Sequence, residues 1–225
     1  GRLAAAARGN PLHANELAMA IPAPGGTLDE RWLQGLEQEA GGDREVFERT
    51  ADERLAQLSS PARLVASTLA LAGRPLSDYD LAAVTGLPTS SLASAIHALE
   101  AAQFLRRSGT DLAFAHERYR GRADAAISDA DRRAIRHALA RFLAKSAAGN
   151  PAARYEVASH YAGAGRTKEA RTNAQAAAKY ASSVGAVRER AAALELARRV
   201  TASYDGRIAS DLAACYLDLK EFERL

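Results

Sequence analysis

Aromatic residues make up only 6% of this 225-residue chain, which holds one tryptophan, one methionine and one cysteine. A lone Cys215 cannot close an internal disulfide, so the disulfide-stapled scaffolds are excluded and a reducing compartment is the expected setting. It lies in the apolar run "LAACYL", where a small buried side chain is expected rather than a reactive thiol. No apolar run reaches the ~20 residues that a bilayer-spanning helix needs, and no charged-then-apolar leader opens the sequence. The expected location is cytoplasmic, with no membrane partner.

Catalytic signatures are missing too. The five histidines (His13, His97, His116, His137, His160) show no metal-ligand spacing with cysteine. His116-Glu117 does not begin an H-E-x-x-H helix, because position 120 is Arg120. No serine sits in a Gly-x-Ser-x-Gly elbow. There is no Gly-rich Lys-Ser/Thr loop, whose backbone N–H groups and lysine would cradle phosphates, so this chain by itself is not expected to hydrolyse ATP. The sequence assigns no catalytic residue and no metal ligand.

What is present points to packed helices. The chain is 48% hydrophobic and rich in alanine, the best helix former and a small one. Charge is uneven. Residues 1–130 carry 13 Lys/Arg against 17 Asp/Glu, residues 131–200 carry 14 against 5, and residues 201–225 carry 3 against 5. The basic stretch suits either an acidic partner or a solvated helical face.

Along the chain, "RLAAAAR" and "LHANELAMAI" read as short helical pieces joined at Gly9-Asn10-Pro11, with "PAPGGT" a linker behind them. "REVFERTADERLAQL" puts Val46, Phe47, Leu55 and Leu58 near one helix face. In "SSPARLVASTLALAG" a serine caps, Pro61 opens and Gly73 closes a helix. A short helix follows from Asp78 to Thr85, then a turn at Gly86 and a helix from Thr89 to Ala102. Leu81, Val84 and Leu87 are expected to close the elbow, with Leu92, Ile96 and Leu99 facing inward. "QFLRR-SGTD-LAFAH" then reads as two strands around a turn, with Phe104 and Phe114 paired across them. Helix, helix, tight turn, helix and two-stranded wing is the order of a winged helix.

Beyond Ile127 everything reads as helical. "SDADRRAIRHALARFLAKSAAG" carries a stripe of Ile135, Leu139, Phe142 and Leu143 behind a Ser128 or Asp129 cap. Four more helices are separated by glycine turns. "ASHYAGAGRTKEA" and "LAACYLDLKEFERL" place Tyr161 and Tyr216 alike, in the manner of tetratricopeptide helix pairs. The last helix hairpin breaks off after "KEFERL", so the sequence reads as part of a longer protein.

The order "GNPLHANEL", "ERLAQLSSPAR", the winged-helix run, "ADRRAIRHALARFL" and tetratricopeptide-like helices resembles bacterial STAND-type signal-transduction ATPases, including LuxR-type regulators and ATPase modules fused to kinases or cyclases. The resemblance implies a mainly α chain: the end of an ATPase lid with connecting helices over 1–58, a winged helix over 59–127, and a helical array over 128–225. It implies ATP or ADP as cofactor of the full-length parent, with none expected on this chain alone. Gly9, Asn10 and Pro11 would close the lid, with Pro11 against the adenine. His116 in "FAHERYR" would look toward the phosphates. The other readings stay open: Pro11 as a plain helix-start proline, and His116 as a histidine satisfied by local backbone. Arg118 stands where family members often carry an apolar residue. Implied partners are the preceding nucleotide-binding domain in cis and a protein or small-ligand signal on the array. The alternative is a DNA-binding regulator, with Arg106 and Arg107 on phosphates. The third helix, "TSSLASAIHALEAA", offers no Lys or Arg to base edges, so DNA is not the expected partner.

Overall fold

A computed structural model describes residues 43–201 and 204–220. Gly9, Asn10 and Pro11 lie outside the described residues, as does Trp32. The described chain is mainly helical, with a small three-stranded antiparallel sheet.

The elements run α1 (Asp43–Gln57), α2 (Ser60–Ala72), β1 (Leu76–Ser77), α3 (Asp78–Thr85), α4 (Thr89–Ala101), β2 (Leu105–Ser108), β3 (Asp111–Phe114) and α5 (Glu117–Ala125). They continue as α6 (Asp129–Ser146), α7 (Arg154–Gly163), α8 (Thr167–Ser183), α9 (Val187–Arg199) and α10 (Gly206–Leu219).

Local chemistry sets many of these ends. Ser59 accepts the Ala62 N–H ahead of α2, and Gly73 closes that helix in the left-handed region. Ser77 and Asp80 form a reciprocal capping box at α3. Gly86, at φ 67°, turns the chain from α3 toward α4, a conformation a β-carbon would strain. Ser128 caps α6 by accepting the Asp131 N–H.

One core joins helices α1 to α5 and the sheet. It holds Leu55, Val65, Leu69, Leu76, Leu81, Leu92, Ile96, Leu99, Phe104, Leu112 and Tyr119. Ala51 and Leu55 of α1 are buried in it, so the connecting helix placed with the lid packs as part of the following unit.

Two local expectations are corrected here, and one helix is added. The wing hairpin gains a third strand: Leu76 pairs with Leu112 and Ser77 with Asp111, placing β3 in the middle of the sheet. A two-residue strand carries no periodicity of its own. Residues 117–125 form α5, a helix whose only buried residues are Tyr119 and Ala123. Phe104 does not pair with Phe114. Its ring meets Tyr119 edge-on at 5.0 Å, with the Arg54 guanidinium 4.7 Å from its centroid, while Phe114 stands opposite Leu105.

Helix α6 packs two ways. Ile135 and Leu139 meet Leu71, Val84 and Ile127, while Leu143 meets Val157 and Ala147. From there α6, α7, α8, α9 and α10 pack each against the next. The array interior is largely alanine, with Ala174, Ala178, Ala193 and Ala197 beside Leu194, Leu212, Cys215 and Tyr216. Small side chains let the helix backbones approach closely.

Phe104→Ala empties the centre of the first core and is expected to cost about 3–5 kcal/mol in urea unfolding. Tyr79→Ala, at a ring 77% exposed, should stay within about 0.5 kcal/mol of wild type.

Candidate functional site

The exposed face of α4 presents Thr89, Ser90, Ala93, Ser94 and His97, none of them a fixed cation. Arg107, proposed for phosphate contact in the DNA-binding alternative, is ion-paired at the surface. Its guanidinium meets both Asp78 oxygens, at 3.1 and 3.3 Å, and Glu100 at 3.2 Å. The Asp78 bonds, helped by the charges of Asp78 and Glu100, raise its pKa further. Arg106 is exposed on β2.

His116 sits at the joint between β3 and α5. Its Nδ1 accepts the Arg118 N–H at 3.1 Å and so caps α5. The neutral ring proton then belongs on Nε2, the atom left for an outside partner. The local-backbone reading of His116 thus describes one nitrogen, and the exposed edge of the ring carries the other. At the next turn inward, Tyr119 takes the buried apolar place and Arg118 lies half-buried.

Beside this joint lies a cavity of about 280 Å³ lined by Leu69, Gly73, Arg74, Pro75, Ala113, Phe114, Glu117 and Arg120. Arg120 donates through Nε and Nη2 to Glu117, and that bond holds the Glu117 carboxyl below the usual carboxylate range. Arg74 donates through Nε to Glu156 of α7 at 3.3 Å. A larger groove of about 560 Å³ runs between α1, α2 and α5, with Arg122 held by Asp52 at its side. Sequence reasoning did not single out Arg74 and Arg120. The signals were a helix-ending glycine followed by Arg-Pro, and a Glu–Arg pair three apart.

A second histidine matters for stability. His160 is buried on α7, and its Nδ1 has no hydrogen-bond partner among the described residues. Burial, with the charges of Arg136 and Arg74, pushes its pKa down to about 4. The Arg136 stem lies over Gly163, where a β-carbon would collide with it. Cys215 is buried, and burial pushes its thiol pKa up, the setting of an inert side chain.

Among the described residues no cluster of three or more His, Cys, Asp or Glu is placed to hold a metal, and no helix is long and apolar enough to cross a membrane. Comparison with family models, with curated proteins and with solved structures found no match to this chain.

Two outcomes follow from this geometry. The chain should show no sequence-preferring, sub-micromolar duplex binding in a low-salt gel shift, since specific sites bind at ~10⁻⁸ M or tighter. Stability should also fall in acid. His160 is neutral when folded, and the unfolded chain takes up its proton near the ordinary value of 6.5. Its contribution is complete above about pH 6.5 and is lost as pH drops toward 4, on the order of 3 kcal/mol in all. Urea unfolding against pH should show that slope, and His160→Leu should flatten it.

Proposed function

We propose that this chain is the regulatory part of a multidomain STAND-type ATPase. It would couple the nucleotide state of a preceding nucleotide-binding domain to a signal received on its helices. In this reading the unit from α1 to α5 is a winged helix that docks on the nucleotide domain. The helices from α7 onward are the tetratricopeptide-like surface that a protein or small-ligand signal engages. ATP and ADP belong to the full-length parent, and hydrolysis to its nucleotide domain.

The observation that carries this reading is α6. Its first half is packed into the sheet-bearing unit and its second half into the array. Movement of one unit is therefore transmitted to the other through a single rigid element. The connection β3–His116–α5 adds support, because it leaves an imidazole edge exposed beside a cavity with two guanidiniums. The DNA-binding alternative is not favoured by the exposed face of α4, which offers no fixed cation to base edges.

On this proposal the winged helix holds the ADP-bound closed state, with His116 Nε2 near the phosphates and Pro11 against the base. A hydrogen bond to a charged phosphate contributes roughly 1.5–3 kcal/mol, a shift of about 10- to 100-fold in a two-state equilibrium. In the parent, His116→Ala should speed ADP release by that order and raise basal output, with His97→Ala as control. Alanine also removes the α5 cap, so His116→Asn is the sharper test: asparagine caps well but lacks Nε2. Fast release in both variants supports the role at the nucleotide. Normal release in His116→Asn would leave His116 a capping residue alone.

A further inference from the structure

We propose that the cavity between the Gly73–Pro75 turn, β3 and the start of α5 is a seat for a phosphoryl group. We further infer that Arg74 reports its occupancy to the helical array by exchanging Glu156 for the anion. The proposal rests on the nucleotide-linked reading only for its location, since Phe114 and Glu117 line the cavity on either side of His116.

The chemistry of the walls favours an anion. Two arginines, Arg74 and Arg120, and one carboxylate, Glu117, line a space of about 280 Å³, and the second carboxylate, Glu156, bonds Arg74 from outside the lining. That space is sufficient for one or two phosphoryl groups. Arg74 is only partly used. Its Nε reaches Glu156 at 3.3 Å, and its Nη1 makes a long contact of 3.4 Å with the Pro75 carbonyl. No bond is made by its Nη2 among the described residues. Arg120 gives two of its nitrogens to Glu117, and its third reaches the Ala70 carbonyl only at 3.5 Å. The Glu117 side chain is 70% exposed, so its carboxylate can turn to solvent when a stronger acceptor arrives.

Charge decides which anion gains. A monocarboxylate offered to these arginines replaces one carboxylate by another. A phosphoryl group carries more charge and more acceptor oxygens, and the planar guanidinium fork matches it in two parallel bonds. Glu117 and Glu156 hold their arginines through surface ion pairs, which are weak and readily exchanged.

The exchange has a consequence outside the cavity. Glu156 lies in the first turn of α7, and Arg74 lies in the turn between α2 and β1. Their ion pair therefore ties the sheet-bearing unit to the array at a second place, apart from α6. An anion that draws Arg74 into the cavity releases that tie. It also leaves Glu156 without its cation, on the same helix as His160.

The test is calorimetric titration of the 225-residue chain with pyrophosphate, inorganic phosphate and ADP, on wild type and four variants. Pyrophosphate uptake by the wild type is expected. Arg74→Ala and Arg120→Ala should each weaken it at least tenfold, and Arg199→Ala, an exposed cation on α9, should leave it unchanged. Glu156→Gln removes the competing carboxylate and should tighten uptake about two- to fivefold. Tighter binding of ADP than of pyrophosphate assigns the seat to a nucleotide. Equal or weaker binding assigns it to free phosphate or pyrophosphate. Absence of pyrophosphate uptake, or uptake indifferent to Arg74→Ala, overturns the site. Unchanged or weaker uptake in Glu156→Gln overturns the exchange. Normal ADP release by His116→Asn in the parent would remove the nucleotide reading without altering any of these results.

Discussion

Helix α6 is the constraint on which the remaining structure depends. Its two parts serve two neighbours: Ile135 and Leu139 bury into Leu71, Val84 and Ile127, and Leu143, further along, buries into Val157. Close-packed interiors transmit displacement because they have no slack to absorb it. A rigid helix shared by two cores thus fixes the sheet-bearing unit and the array in one geometry. The Arg74–Glu156 pair adds an exposed, weaker tie at the other side of α7's first turn. The strong link is apolar and permanent, and the weak one is ionic and exchangeable.

The two cores are built from different materials. The sheet-bearing unit centres on leucines, with Phe104 and Tyr119 in edge-to-face contact. The array is packed mostly through alanines, with the Tyr216 hydroxyl donating to Glu195 at 2.6 Å where α9 and α10 meet. Large side chains give the first unit a volume that few substitutions can refill. Alanine packing gives the array short interhelical distances, with stability that accumulates from neighbour to neighbour.

Arginine is used as a connector throughout. Arg122 holds Asp52 of α1, Arg132 holds Asp124, Arg171 holds Asp205, and Arg190 holds Asp211. Each joins different elements across the surface. Three of the cations of residues 131–200, Arg132, Arg171 and Arg190, are thereby tied into the fold, while most of the rest, Arg133, Arg141, Lys145, Lys179 and Arg199 among them, are exposed. Arg107 is a further case. A cation that composition offers to phosphates is held by Asp78 from a helix 29 positions earlier.

Local chemistry was legible in the residues alone. The serine caps of α2 and α6, the Gly73 and Gly86 stops, and the apolar stripes of α4 and α6 each depend on side chains within a turn of one another. Cys215 also sits buried, as its apolar run implied. Longer-range features were settled only by the tertiary structure. Strand β1 exists because Leu76 finds Leu112, and α5 forms around the two anchors Tyr119 and Ala123 despite a polar sequence. Phe104 takes Tyr119 rather than Phe114 because it lies just before the hairpin and drops into the core. The candidate site divides the same way. His116 was visible as a histidine after a strand, but the Arg74–Arg120 cavity beside it and the burial of His160 needed residues far apart in sequence to meet. Periodicity and capping are read over four or five residues, whereas burial, ion pairing and cavities depend on which distant segments the chain brings together.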